Sequence, residues 1–514
     1  MDIPFTEGFG QLYLPVYLQW AILLGIIAIS VVVTYLSWRV TVPIWRSKSS
    51  SGPSSQKEAS PRFGLDMRKY GLFHTTLAAT VIKGSVFVIG ILIIGVLEPR
   101  TILNACPSLA PPVAIYQFAP WSHVEAYTDY RDIYLPCLVA SFLKGANLYH
   151  LYGVTYNYPP LFLYLISGFA YVANLIWLPA FPLVLFDVLT TIPVYLIARD
   201  FLFQRNARLA FIVSLVWAAN PINLFYNDLM WLNTAPATFF LVLAIYLLLK
   251  QQWSLSSLAL AVSTGFKQIS VIFFPVLLIF LFKSVGFSKK LIAYVSIYIL
   301  SLVMISTPYI FTEAQYYFWS LDFPILGIPV SAPNVQPLFS TSFSDPVRIT
   351  TFLGYLSSSY GLFVTESYLY LNYFLIGSII IVFIFLAIEP VRSFSRYSQW
   401  HVKTNLLRSE HGGSIESQNP FYNSIVRLSN MVSPERVLGF CLAIFLIFLT
   451  LYGGGVYKYY FAGITPLVIP VFKKKSGLVI FEALSIFLIF VPREISPWVA
   501  FVFLLLLPRI FRDL

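Results

Sequence analysis

Charge is scarce in this chain: Asp, Glu, Lys and Arg make up only 11% of its 514 residues, against 58% hydrophobic and 18% aromatic. A soluble domain carries about 25% charged residues, so a water-soluble fold is excluded. Cysteine is scarcer still. Cys106, Cys137 and Cys441 are too few and too widely spaced for a disulfide framework or a thiolate metal site. The five histidines show no ligand spacing, and no glycine-rich loop follows a strand, so neither a His/Cys metal motif nor a nucleotide phosphate loop is present. The strict alternation of barrel strands is also missing.

What remains is a succession of apolar runs of about 18 residues or more, the length an α-helix needs to cross roughly 30 Å of hydrocarbon. They predict an all-α polytopic membrane protein with roughly 11–13 transmembrane helices. The net charge of +11 does not point to nucleic acid, because the basic residues punctuate the apolar runs and form no single patch. Arg46, Lys48, Lys57, Arg62, Arg68 and Lys69 fill one linker, Lys283, Lys289 and Lys290 a second, and Lys473, Lys474 and Lys475 another. Basic linkers face the cytoplasm by the positive-inside rule.

Walking the charges along the chain gives its organisation. Residues 1–69 are an extra N-terminal transmembrane helix and a Ser-rich cytoplasmic linker. Residues 70–391 form a transmembrane core with outer loops at 98–157 and 309–365. A polar cytoplasmic loop follows at 392–436, and C-terminal transmembrane helices at 437–514. Two orientations stand for the stretch 159–198, which crosses once or twice and so leaves Arg199, Arg205 and Arg208 inside or outside. Lys267 falls within, or at the top of, an apolar hairpin.

This topology brings Asp129, Asp132, Asp228, Lys267 and Lys458 to the non-cytosolic interface. An ionisable side chain at membrane depth costs about 2.5–3.5 kcal/mol on insertion scales, which makes each a functional candidate. The densest group is "YTDYRDIYLP", residues 127–136, with Tyr127, Asp129, Tyr130, Arg131, Asp132 and Tyr134. A carboxylate among aromatic rings suits sugar chemistry: the rings stack on sugar faces and the carboxylate takes the proton of an attacking hydroxyl. A nearby lysine can hold a phosphate leaving group. With the site outside, the donor has to be lipid-linked.

Four stretches carry a resemblance. "YTDYRDIYLPCLVASFLKGANLYHLYGVTYNYPPLFLYL", "ANPINLFYNDLMWLN", "LALAVSTGFKQISVIFFP" and "GGGVYKYYFAGITPLVIP" occur in that order. Together they resemble the C-type (GT-C) glycosyltransferases that use polyprenyl-phosphate sugars, above all the catalytic subunit of the first mannosyltransferase of GPI-anchor assembly. The resemblance implies a GT-C-like helical bundle in the cell membrane or endoplasmic reticulum. It implies transfer of a hexose from a polyprenyl (dolichyl) phosphate donor to a glycolipid, a lipid-linked oligosaccharide or a protein. Asp129 and Asp132 would be catalytic, and Tyr127, Arg131, Tyr158, Asp228, Lys267, Gln268 and Lys458 would bind substrate. Where that family carries Asp-x-Asp, this chain has Asp129, Tyr130, Arg131 and Asp132, which leaves metal dependence open and no cofactor expected. A transporter or flippase for a lipid-linked substrate, and a catalytically silent subunit of a membrane complex, are the alternatives.

Overall fold

A computed structural model describes residues 16–50, 71–97, 116–118, 124–126, 130, 158–173, 175, 177–203, 206–320, 375–384, 434–452, 458–473, 475–491 and 495–512. Tyr127, Asp129, Arg131 and Asp132, with nearly all of the loops expected at 98–157 and 392–436, lie outside the described residues. The described chain is almost wholly helical, as expected of an all-α polytopic membrane protein. The exception is a short antiparallel ribbon, β1 (Tyr116–Phe118) paired with β2 (Val124–Ala126).

Among the described residues six helical segments are long and apolar enough to cross a membrane, and the bent pair Ala207–Ala218 with Pro221–Leu229 makes up to seven. α1 (Val16–Ser50) and α2 (Leu72–Leu97) are single long helices. α3 (Pro160–Val172) has only 13 residues, about 20 Å, whereas α4 (Phe181–Ile197), with the turns at both its ends, spans Leu178–Leu202. α5 (Ala207–Ala218) begins at Asn206, whose side chain accepts a hydrogen bond from the Leu209 amide.

The apolar run that begins with α5 is not one helix. At Asn220–Pro221 the missing proline N–H and the Asn220 side chain, which accepts from the Ile222 and Asn223 amides, start a new turn bent by 40°. This turn runs through Leu224–Leu229 with π-helical spacing and ends at Trp231, whose φ of 58° is unusual for an aromatic residue. α6 (Thr234–Leu249) then returns.

The next apolar run splits at Lys267. α7 (Trp253–Phe266) leads up to it, a 3-10 turn (Gln268–Ile272) follows, and α8 (Phe273–Val285) leads back. Lys267 therefore sits at the head of a hairpin. α9 (Lys289–Ser320) continues through Pro308 to Ser320, 12 residues into the stretch read as outer loop 309–365, because Pro308 falls within one long helix instead of ending it. α10 (Leu375–Ile384) and α11 (Pro434–Leu451) follow. α12 (Tyr460–Ile464), extended by a 3-10 turn to Lys473, precedes α13 (Lys475–Phe490) and α14 (Ser496–Arg512).

Two contacts order these helices. Asp200, at the end of α4, accepts hydrogen bonds from Arg199 Nε at 2.7 Å and pairs with Lys250 Nζ, at the end of α6, at 2.7 Å. The end of α4 at Arg199 and Asp200 thus lies on the same side as Lys250, and the turn between α5 and α6 lies toward the opposite side. α1 is not an appendage: it packs against α13, α5 and the bent turn, and Thr34 Oγ1 donates to the buried Glu482 carboxylate of α13 at 3.2 Å.

Candidate functional site

The polar turn between α5 and α6 carries Asn220, Asn223, Asn227, Asp228 and Asn233, all buried. In a bundle with so little polar surface these groups have to find partners inside the protein. Asn223 and Trp217 are tied to Thr465: Trp217 Nε1 donates to its hydroxyl at 2.9 Å, and that hydroxyl reaches Asn223 Oδ1 at 3.1 Å. Asn220 Nδ2 donates to Ser485 Oγ of α13 at 2.7 Å.

Asp228 meets a cation that sequence reasoning missed. Lys83 of α2, fully buried, bonds Asp187 of α4 and, at 3.1 Å, Asp228 Oδ2. Its ammonium also lies 5.0 Å from the centroid of the Trp217 ring. Asp187 Oδ1 accepts from Asn227 Nδ2 at 3.0 Å, and Asn227 Oδ1 accepts from Thr234 Oγ1 at 2.5 Å. Lys83 lies 11 residues into α2, about 16 Å along its axis, so the cluster is deep in the bundle. Lone charges inside α2 and α4 were the available signal.

Lys267 occupies a second polar cluster. Its Nζ donates to Asn233 Oδ1 at 3.0 Å and lies 4.3 Å and 4.9 Å from the ring centroids of Tyr460 and Tyr459. Asp228 is paired with Lys83, and Lys267 instead reaches Asn233, five residues beyond Asp228. Asn233 precedes α6 without capping it, and its Nδ2 is buried with no hydrogen-bond partner. An ammonium, an unspent amide N–H and the start of a 16-residue helix meet here, the elements of an anion site.

The remaining candidates divide. Lys458, adjacent to Tyr459, is buried and donates to the Ile489 carbonyl at 2.8 Å, and so ties the Tyr459–Tyr460 segment to α13. Tyr158 is buried at the start of α3 against Phe162. Gln268 opens the 3-10 turn beside Lys267. Tyr130, the described member of the aromatic and acidic cluster, is fully buried edge-on against Trp231 with ring centroids 5.0 Å apart. Burial pushes its phenol well above the usual tyrosine range, partly offset by a hydrogen bond with the Ala180 backbone.

Fold and site together define a multi-pass helical membrane protein whose bundle encloses a polar, ion-paired broken helix. Residues 128–338 match the model of the GPI transamidase subunit PIG-U family, and over this stretch the chain is similar to that family. The matched stretch contains the bent turn, Asp187, Asp228 and the hairpin head at Lys267, while Lys83 and the Tyr459–Tyr460 pair fall outside it. No curated protein and no solved structure matches. The motif resemblance was to a GPI-anchor mannosyltransferase. The match is to a different GPI-anchor protein and does not carry glycosyl transfer.

Proposed function

We propose that this chain is a membrane subunit of the GPI-anchor pathway, working in the endoplasmic reticulum membrane with the machinery that attaches the anchor to proteins. The observation that carries the reading is the PIG-U family match over residues 128–338. In this role the protein binds and presents the lipid-linked anchor, and the attachment chemistry belongs to another subunit. The Lys267–Asn233 cluster suits such a task, because a buried ammonium flanked by two tyrosine rings and an unspent amide can hold a phosphate group of a glycolipid.

A second reading keeps hexosyl transfer from a polyprenyl-phosphate donor, with Asp129 as general base, Asp132 beside it and Lys267 on the donor phosphate. It is favoured by the burial of Tyr130 against Trp231, which anchors the neighbouring residue of Asp129 on the polar turn. Glycolipid analysis of cells depleted of this chain separates the two. The subunit reading expects complete but unattached GPI lipid to accumulate while GPI-anchored proteins leave the cell surface. Accumulation of a glycolipid short of one hexose, with Asp129→Asn reproducing it through the roughly 100 to 10,000-fold loss typical of a missing general base, establishes the transferase instead.

A further inference from the structure

The Lys83 cluster has unbalanced charge. One ammonium faces two carboxyl groups, Asp187 and Asp228, and all three side chains are essentially inaccessible. With both acids ionised the cluster carries a net charge of −1 where no water screens it. The other described titratable groups on those elements are His74 near the start of α2, Tyr195 eight residues along α4 from Asp187, Arg208 at the start of α5, and the buried Tyr226, two residues before Asp228 on the bent turn. α3 and α6 bring no charged side chain to it.

The hydrogen bonds distinguish the two acids. Asp187 spends both oxygens, Oδ2 on Lys83 and Oδ1 on the Asn227 amide, the pattern of a carboxylate. Asp228 has the longer Lys83 contact at Oδ2, and its Oδ1 is buried with no acceptor bond made to it. Both carboxyl groups bond the same Lys83 ammonium. We propose that this triad is a proton-binding site inside the membrane domain, with the proton on Asp228 and the ion pair between Lys83 and Asp187. The cluster is then neutral, and it joins α2, α4 and the bent turn without a stranded charge. A proton is the cation that fits, because hard metal cations gather about six or more oxygen ligands and only two carboxyls and one amide converge here. The inference stands independently of the proposed function.

The test uses the full-length chain in lipid nanodiscs at neutral pH. Infrared spectra of protein labelled with 13C-aspartate should show a protonated-carboxyl carbonyl band that Asp228→Asn removes. Asp228→Asn should keep the wild-type melting midpoint, because an amide replaces a neutral acid. Asp187→Asn and Lys83→Met should each lower the midpoint by several degrees, and the two together should regain most of the loss. Absence of the acid band in the wild type, or Asp228→Asn melting as low as Asp187→Asn, overturns the proposal. A midpoint that rises in sodium relative to choline at equal ionic strength also overturns it, by assigning the site to a metal cation.

Discussion

The indole of Trp231 lies across Gly90 of α2: a Cβ built at Gly90 would stand 3.0 Å from Trp231 Cζ2 and 3.2 Å from the Leu229 carbonyl oxygen. α2 and the bent turn are therefore held by backbone approach as well as by the Lys83 ion pairs, and the left-handed backbone at Trp231 is fixed by that packing. Gly90→Val is expected to destabilise the protein by about 1–3 kcal/mol through overpacking. Gly84, on the same helix with open space around it, is the control: Gly84→Ala should be neutral or stabilising by about 0.5–1 kcal/mol. Thermal melting of the two variants in one detergent checks both.

Substitution of Lys267 should separate binding from folding. Lys267→Met keeps an apolar stem between Tyr459 and Tyr460 and removes the charge, so the protein should accumulate normally while surface display of a GPI-anchored reporter falls. Adding Asp228→Asn should restore nothing, because Asp228 pairs with Lys83. Recovery of display in the double variant would show that the two residues interact after all.

The hydrogen bond between Thr34 and Glu482 makes α1 part of the bundle. Thr34→Val is nearly isosteric and leaves a buried carboxyl oxygen without this donor, which should cost about 1–3 kcal/mol. The loss should shrink when Glu482 is replaced by Met. Equal melting of wild type and Thr34→Val would mean that α1 contributes by apolar packing alone.

Orientation is open to chemical labelling. A cysteine at Ser122 should react with an impermeant maleimide supplied to the non-cytosolic face, and one at Ser395 should not. The pairing of Asp200 with Arg199 and Lys250 adds an internal check, since a cysteine at Gln251 should label from the same side as Ser395. The reverse pattern would place the basic ends of α4 and α6 outside.

The sequence by itself determined that this is a polytopic helical membrane protein. Apolar length is a local property, and a run long enough to cross hydrocarbon has to satisfy its own backbone hydrogen bonds as a helix. It also singled out Asp228, Lys267 and Lys458 as ionisable groups among apolar segments, and all three are buried. The partners were decided only by tertiary structure. Lys83 is 104 residues from Asp187 and 145 from Asp228, and Lys267 comes from the helix after the one Asn233 precedes. Hydropathy and charge spacing report depth along one helix, and nothing in them says which neighbouring helix presents the opposite charge at that depth. Asp228 and Lys267 were both legible as buried charges needing partners. That they belong to two separate clusters follows from the end of the turn between them, after Leu229 and at the left-handed Trp231, which leaves Asp228 on Lys83 and Asn233 on Lys267.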